Sequence, residues 1–554
     1  MRRSTHWPLL LVSLLAAGGV AACQGCHAPT PANDAPLPLP ASSTPTVRLY
    51  VVSTLAGALE PCGCSKDQLG GVDHLAAWVA SQAGAAPASL LVGAGPMLFL
   101  DPRLRGGDAS QDTWKAEAIA GAFKTLGMAA WAPGYNDWAG GAAELGKCRE
   151  ASGAALVAGN LAGAPTTAAI VREIGGVKVG IVGVSDPKDR AGAYPDGVKA
   201  TSPLDAMKAG LAEVKKQGAR VLVGLAALPR GEALRLADNL PELHLLVVGK
   251  SSEAGDGNDG AKAPVLAGST LVVETANHLQ TVGVVDLYLR PAGASPSSPG
   301  AEAPLVFADA GGVARAEELL GLASRIRDLE ARLNSWALDK TVKAEDVAAR
   351  KQDLGRLRAE KSKMEAEQPA VKGSFFRYTM VEVRDKMGVD KDVRGAMLGY
   401  YKRVNDHNKV AFADRKPAAV EKGQASYLGV DACTDCHDDA RKVWDKTTHA
   451  TAYPTLQKDF KEFNLDCVSC HVTGYDKPGG STVTHVEKLR NVQCEDCHGP
   501  GSLHARDPGK KDLIVAKPKA DMCLSCHHPP HVDGFDAKAK MKLILGPGHG
   551  APKG

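Results

Sequence analysis

The sequence predicts an α/β domain, then a helical hairpin, then a mostly α-helical and irregular C-terminal domain. Three observations predict it. Between residues 47 and 290, short apolar runs alternate with segments whose apolar residues recur every three or four positions. Between 313 and 368 the composition shifts to Ala, Glu, Lys, Arg and Leu with a heptad seam. After residue 425 the pattern Cys-x-x-Cys-His occurs four times. A chain of 554 residues can build two or three domains, each with its own core. The net charge of +3 gives no reason to expect nucleic acid or an acidic partner.

The first 22 residues open with the basic MRRSTHW and continue as PLLLVSLLAAGGVAA, too short for a spanning helix with two flanks. That is the pattern of a secretory signal peptide. Its end, Val20-Ala21-Ala22-Cys23, resembles the bacterial lipobox, in which the cysteine is lipidated and becomes the mature N-terminus. An ordinary cleavage site beside a coincidental cysteine is the competing reading. Gln24 rather than Asp follows, which in the Gram-negative sorting pattern implies the outer membrane, facing the periplasm or the cell surface. Residues 23–46 are a Pro/Ala/Ser tether with nothing to bury. The expectation is an exported lipoprotein attached to the membrane through Cys23.

In the α/β domain, 47–290, the strand-like runs are VRLYVVST, SLLVGAG, AAWAPG, ALVAGN, VGIVGVS, ARVLVGLAAL, LHLLVVGKS, STLVVETAN and QTVGVVDLYL. Helical spacing marks QDTWKAEAIAGAFKTLG and PLDAMKAGLAEVKKQG between them. Cys62-Gly63-Cys64 lies in the loop after the first strand. In an oxidising compartment this pair could form a strained, redox-labile disulfide, join Cys148 or Cys26, or bind a metal. A structural disulfide is the plainer reading.

In 313–368, Leu319, Leu322, Ile326, Leu329, Leu333 and Trp336 form a heptad seam, and Val347, Leu354, Leu357 and Met364 suggest a second helix. The simplest arrangement is an antiparallel hairpin; a homodimer through the coiled coil is the runner-up. Residues 373–424 read as a connector containing a strand and a helix.

The domain at 425–554 carries Cys433-Thr-Asp-Cys436-His437, Cys467-Val-Ser-Cys470-His471, Cys494-Glu-Asp-Cys497-His498 and Cys523-Leu-Ser-Cys526-His527. Each is the attachment signature of a c-type haem. Two thiols at this spacing meet the two vinyl groups of one haem, and the adjacent imidazole is the proximal iron ligand. Paired Cys-x-x-Cys also makes zinc sites, but zinc does not require a histidine after every second cysteine. Four c-type haems are therefore expected, with His437, His471, His498 and His527 as proximal ligands. Nearby His449, His485, His504, His528, His531 and His549 are candidates for the opposite faces. His528 adjoins a proximal histidine and could hardly reach a different iron.

The run from Tyr427 to His437, the segment Trp444-Asp-Lys-Thr-Thr-His449-Ala450, and Cys494-Glu-Asp-Cys497-His498-Gly-Pro-Gly-Ser-Leu-His504 resemble the tetrahaem cytochrome family that accepts electrons from hydroxylamine oxidoreductase. The resemblance covers roughly 425–535. It implies that His449 and His504 are distal ligands, and His531, in Cys-His-His-Pro-Pro-His, fits a third. The fourth iron takes His485 or His549, or stays open on one face as one haem does in that family. Four haems in so short a stretch leave little apolar side-chain core, so the macrocycles themselves must be the packing.

The order and phrasing of 47–290 resemble the metallophosphoesterase sandwich of periplasmic 5′-nucleotidases. That family binds two metals through Asp, His and Asn at strand ends. Here Thr54, Ala56, Pro96, Leu225, Lys250 and Ser252 stand at those places, and only Asn136, Asp137 and Asn160 remain. The resemblance implies the fold, and the substitutions imply loss of the two-metal hydrolytic chemistry. The combined expectation is an electron carrier with four haem c groups and redox partner proteins, joined to an inert phosphoesterase-like scaffold or docking module. The alternative is a redox enzyme acting on a small nitrogen or sulfur species at one five-coordinate haem.

Overall fold

The computed structural model describes residues 44–61, 68–107, 109–253, 257–290, 305–336, 341–367, 371, 373–529, 531–532 and 535–549. Cys23, Cys26, Cys62 and Cys64 lie outside the described residues.

In chain order the strands are β1 (Val47–Ser53), β2 (Ser89–Ala94), β3 (Met128–Ala132), β4 (Ala155–Leu156), β5 (Leu161–Ala162), β6 (Ala169–Ile174), β7 (Val177–Ser185) and β8 (Lys199–Ala200). There follow β9 (Val221–Ala227), β10 (Leu245–Gly249), β11 (Val265–Ala267), β12 (Thr270–Val273), β13 (Thr281–Tyr288), β14 (Ala308–Asp309) and β15 (Phe375–Glu382). The first eight helices are α1 (Val72–Ser81), α2 (Ala109–Thr125), α3 (Gly141–Ser152), α4 (Pro203–Lys216), α5 (Arg230–Asp238), α6 (Ala316–Trp336), α7 (Ala344–Ala366) and α8 (Lys391–Ala411).

Two mixed sheets, ordered β14-β15-β13-β1-β2-β3-β4 and β11-β12-β10-β9-β7-β6, pack face to face. Val47, Leu49 and Val51 of β1 enter the layer between the sheets, together with Ile181, Val223 and Val247 of the second sheet. The alternate residues Tyr50 and Val52 point outward beneath α1, α2, α3 and α8, against Leu75, Ile119, Leu145 and Met397. Helices α4 and α5 cover the other sheet through Met207, Leu211 and Leu236. With both faces covered, the central strands are apolar at nearly every position, which is why they read as continuous runs rather than alternations.

The α/β body is larger than residues 47–290. Strand β15, in the stretch read as a connector, pairs antiparallel with β13 over eight residues, from Thr281↔Glu382 to Tyr288↔Phe375. Without it the apolar edge of β13 would offer unpaired backbone groups. Helix α8 then packs Val393, Met397, Tyr400, Tyr401 and Val404 into the same core as α1 and α2. Between these segments α6 and α7 form an antiparallel hairpin. Arg315 near the start of α6 pairs with Glu367 after the end of α7, and Arg358 reaches Glu330 at 2.6 Å. Ile326, Leu333 and Leu354 are buried between the two helices, so the heptad seam closes within one chain.

Candidate haem-binding site

The C-terminal region adds α9 (Asp431–Trp444), α10 (Ala452–Gln457), α11 (Cys494–His498), α12 (Ser502–Arg506) and α13 (Ala537–Met541). Helix α9 carries the first motif and breaks at His437, whose backbone turns non-helical (φ −125°, ψ 39°). The second motif sits on a short 3-10 turn around Val468–Cys470, the third is α11 itself, and the fourth closes the 3-10 turn Ala520–Ser525. Cys433 and Cys494 lie close enough to influence each other's ionisation, as do Cys470 and Cys526, so motifs one and three, and two and four, are neighbours.

Two imidazole pairs dominate the geometry. The rings of His437 and His504 face each other with centres 6.3 Å apart and planes 25° apart. Those of His449 and His527 are 6.2 Å and 42° apart. A metal–imidazole bond is about 2 Å and a ring centre lies about 1 Å behind its nitrogen, so two ligands on opposite faces of one iron put ring centres about 6 Å apart. Both pairs fit that spacing, and each joins a motif histidine to one from another element. One ring nitrogen of His504 is buried with no protein hydrogen-bond partner, a cost unless a ligand compensates it. Burial, with the nearby His527, lowers the His449 pKa and favours the neutral imidazole that a metal requires.

His471 Nδ1 lies 2.6 Å from the Ala452 carbonyl and His498 Nδ1 2.7 Å from that of Val515. Each therefore donates from Nδ1, which fixes the ring and leaves Nε2 for a metal. His549 is close enough to His498 and His437 for their charges, after burial, to lower its pKa. His531 stands edge-on to His528, 5.4 Å away, and His528 donates to the Pro529 carbonyl. His485 lies between the Thr482 and Thr484 hydroxyls at the edge of a surface hollow.

The two middle residues of the third motif are structural, and no sequence signal marked them. Glu495, 2% exposed, accepts from the backbone N–H groups of Leu428, Gly429 and Gly501 at 2.8–3.0 Å. It ties the third motif to the approach to the first. Asp496 accepts from the Thr473 hydroxyl at 2.7 Å and from the N–H groups of Gly474 and Gln493, linking the third motif to the second. The Trp444 indole donates to the Val492 carbonyl at 2.8 Å, holding the segment that bears His449.

Among the described residues, the strand ends of the α/β body hold no comparable ligand set. Asn136 donates to the Leu100 carbonyl at 2.5 Å and accepts from Glu253 N at 3.0 Å. Asp137 accepts from the N–H groups of Met97, Leu98 and Gly134. Asn160 exchanges two hydrogen bonds with the Ser185 backbone. All three are committed to local backbone. Lys250 pairs with Glu253 at 2.9 Å and with Asp259, while its N–H donates to Thr54 Oγ1 at 3.0 Å. Among the described residues no group of three or more His, Cys, Asp or Glu is arranged to hold a metal ion. Cys148 is a buried free thiol, pushed up to about 12 by burial and then by Glu144.

A family model described as cytochrome c554 and c-prime matches residues 432–499. Cytochrome c-554 of Nitrosomonas europaea is 34% identical, the match covering 19% of this chain and 58% of that protein. The solved reduced cytochrome c554 from the same organism aligns at 25% identity over 22% of this chain and 80% of that one, with a TM-score of 0.17. The α/β body has 5′-nucleotidase and phosphoesterase structures as neighbours. A 5′-nucleotidase precursor from Thermus thermophilus aligns at 15% identity over 74% of this chain and 68% of that one, with a TM-score of 0.40. The C-terminal region of this chain, with its repeated Cys-x-x-Cys-His units, is thus similar in sequence to cytochrome c554.

Proposed function

We propose that the chain is an exported electron carrier with four covalently bound c-type haems, attached to a phosphoesterase-like body that has lost hydrolytic chemistry. The observation that carries this reading is the pair of facing imidazoles, His437 with His504 and His449 with His527, at the separation one iron requires. In this reading Cys433 and Cys436, Cys467 and Cys470, Cys494 and Cys497, and Cys523 and Cys526 bind the macrocycles. His437, His471, His498 and His527 would each be the motif's ligand to its own iron. His504 and His449 would be the second ligands to the first and fourth irons. For the others His531, His485 and His549 are candidates, and the proximity of His549 to His498 favours it for the third. When bound, the haems supply one-electron transfer. At the first and fourth sites a second imidazole ligand would keep small substrates from the iron, which suits a carrier between redox partner proteins.

The inert reading of the α/β body rests on Asn136, Asp137 and Asn160 being hydrogen-bonded to backbone, and on a lysine ion-paired where cations would have to gather. We also propose that Cys23 carries lipid and holds the protein at the outer membrane, facing the periplasm. Acyl labelling of the wild type and its loss in Cys23→Ala would support this, and unlabelled protein free in the periplasm would end it. For the main reading, a pyridine haemochrome assay with intact mass on the purified chain is expected to give four haems per polypeptide; two or fewer would refute it.

A further inference from the structure

The four residues before the second motif are bound to the α/β body as well as to the haem region, where Phe463 and Leu465 pack against Val468 and Val472. Gln111 of α2, 1% exposed, accepts from Leu465 N at 3.1 Å and donates to Asn464 Oδ1 at 3.3 Å. Asn408 of α8 donates to the Phe463 carbonyl at 2.9 Å and to Gln111. Asp466, directly before Cys467, accepts from Arg105 at 2.8 Å on one oxygen and from Lys115 of α2 at 2.5 Å on the other. Against the burial that opposes ionisation, Lys115 and Arg105 hold its carboxyl well below the usual range. Arg105 also pairs with Asp112 at 2.7 Å, so the cluster has two cations and two anions. On the other side Lys461 pairs with Glu60 and lies 4.5 Å above the Tyr401 ring. The Cys467 thiol sits among these groups, and burial, with Asp466 next, pushes it up to about 12.

We propose that the α/β body forms part of the environment of the haem carried by Cys467 and Cys470, and that Arg105, Lys115 and Asp466 are positioning residues that set that haem's reduction potential. This rests on the proposed attachment of a haem at these cysteines. A charge-balanced cluster at the root of an attachment site acts on the iron through a partly desolvated medium, where screening is weak. Reduction lowers the charge on the haem by one. Removing the anion must therefore favour the reduced form, and removing a cation must favour the oxidised form. A merely structural contact would not give shifts of opposite sign.

The test is a spectroelectrochemical titration of the full-length holoprotein with peptide mapping of its haems. D466N is expected to raise one of the midpoint potentials and K115M to lower the same one, with the rest unmoved. A tenfold change in that one-electron equilibrium is 59 mV. R105Q supplies a second cation deletion and should move the same midpoint in the direction of K115M. The proposal is overturned if no midpoint moves, if anion and cation deletions shift it the same way, or if all midpoints move together. Mapping separates the layers: no haem on the Cys467–Cys470 peptide refutes the attachment and this proposal with it, whereas an attached haem with fixed potential refutes this proposal alone.

Discussion

His437 and His504 face each other across 6.3 Å, although they lie sixty-seven positions apart in the sequence and belong to different elements, α9 and α12. The spacing matches that of two imidazole ligands to one iron. His504→Ala is therefore expected to leave haem attachment at Cys433 and Cys436 intact while converting one low-spin haem to high-spin. His449→Ala should do the same for the haem of His527. Electron paramagnetic resonance of the oxidised protein reads both; an unchanged low-spin signal in either variant would rule out that assignment.

Glu495 supplies the second prediction. Its carboxylate serves three backbone donors, two of them in the segment leading to the first motif. Glu495→Ala leaves those N–H groups without acceptors, at about 1–3 kcal/mol for each that stays dry. The expected result is a low yield of fully haem-loaded protein and a lowered Tm. A Tm and haem content equal to wild type would mean that water replaces the carboxylate without cost.

That role was not legible in the sequence, because the attachment signature constrains only its cysteines and histidine and leaves Glu495 and Asp496 reading as filler. The motifs themselves were legible because covalent chemistry fixes their residue types and spacing. The α/β class was legible too, since strands covered on both faces become continuous apolar runs. What could not be read was pairing between distant segments. FFRYTMVE has the composition of a strand, but nothing local says that its partner is β13 and that the whole helical hairpin intervenes. The same holds for Asp466, an ordinary loop aspartate until Arg105 and Lys115 arrive from more than three hundred residues away.

Gly249, at the end of β10, tests how closely the two sheets meet. A Cβ there would lie 1.9 Å from the Ala94 carbonyl oxygen and 2.5 Å from Gly95 N, both backbone atoms that cannot swing aside. Gly249→Ala must force the strand ends apart where Lys250 donates to Thr54. A loss of at least about 2 kcal/mol is expected, at the severe end of single substitutions. Urea unfolding followed by far-UV circular dichroism measures it. A change within about 0.5 kcal/mol would show that the strand ends have room for the added methyl group.

Asp137 gives a pH dependence with a defined sign. It is wholly buried, and burial pushes its pKa from 3.8 up to about 7, against the pull of the Leu98, Met97 and Gly134 N–H groups. A carboxyl whose folded pKa exceeds its unfolded one binds its proton more tightly in the fold. Its contribution is complete below about 4 and is lost as the pH rises through about 7, so stability should fall across that window. The slope from this one group is at most about 1.4 kcal/mol per pH unit. Asp137→Asn cannot ionise and should remove that slope. It keeps one acceptor oxygen for Met97 and Leu98 but turns an amide toward Gly134 N, so it should also cost about 1–3 kcal/mol at every pH. The quantity to compare is the difference between wild type and variant, from urea unfolding at pH 4.5, 5.5, 6.5 and 7.5. A difference constant with pH would mean that the three donors keep Asp137 ionised in the fold throughout, and the predicted slope would be wrong.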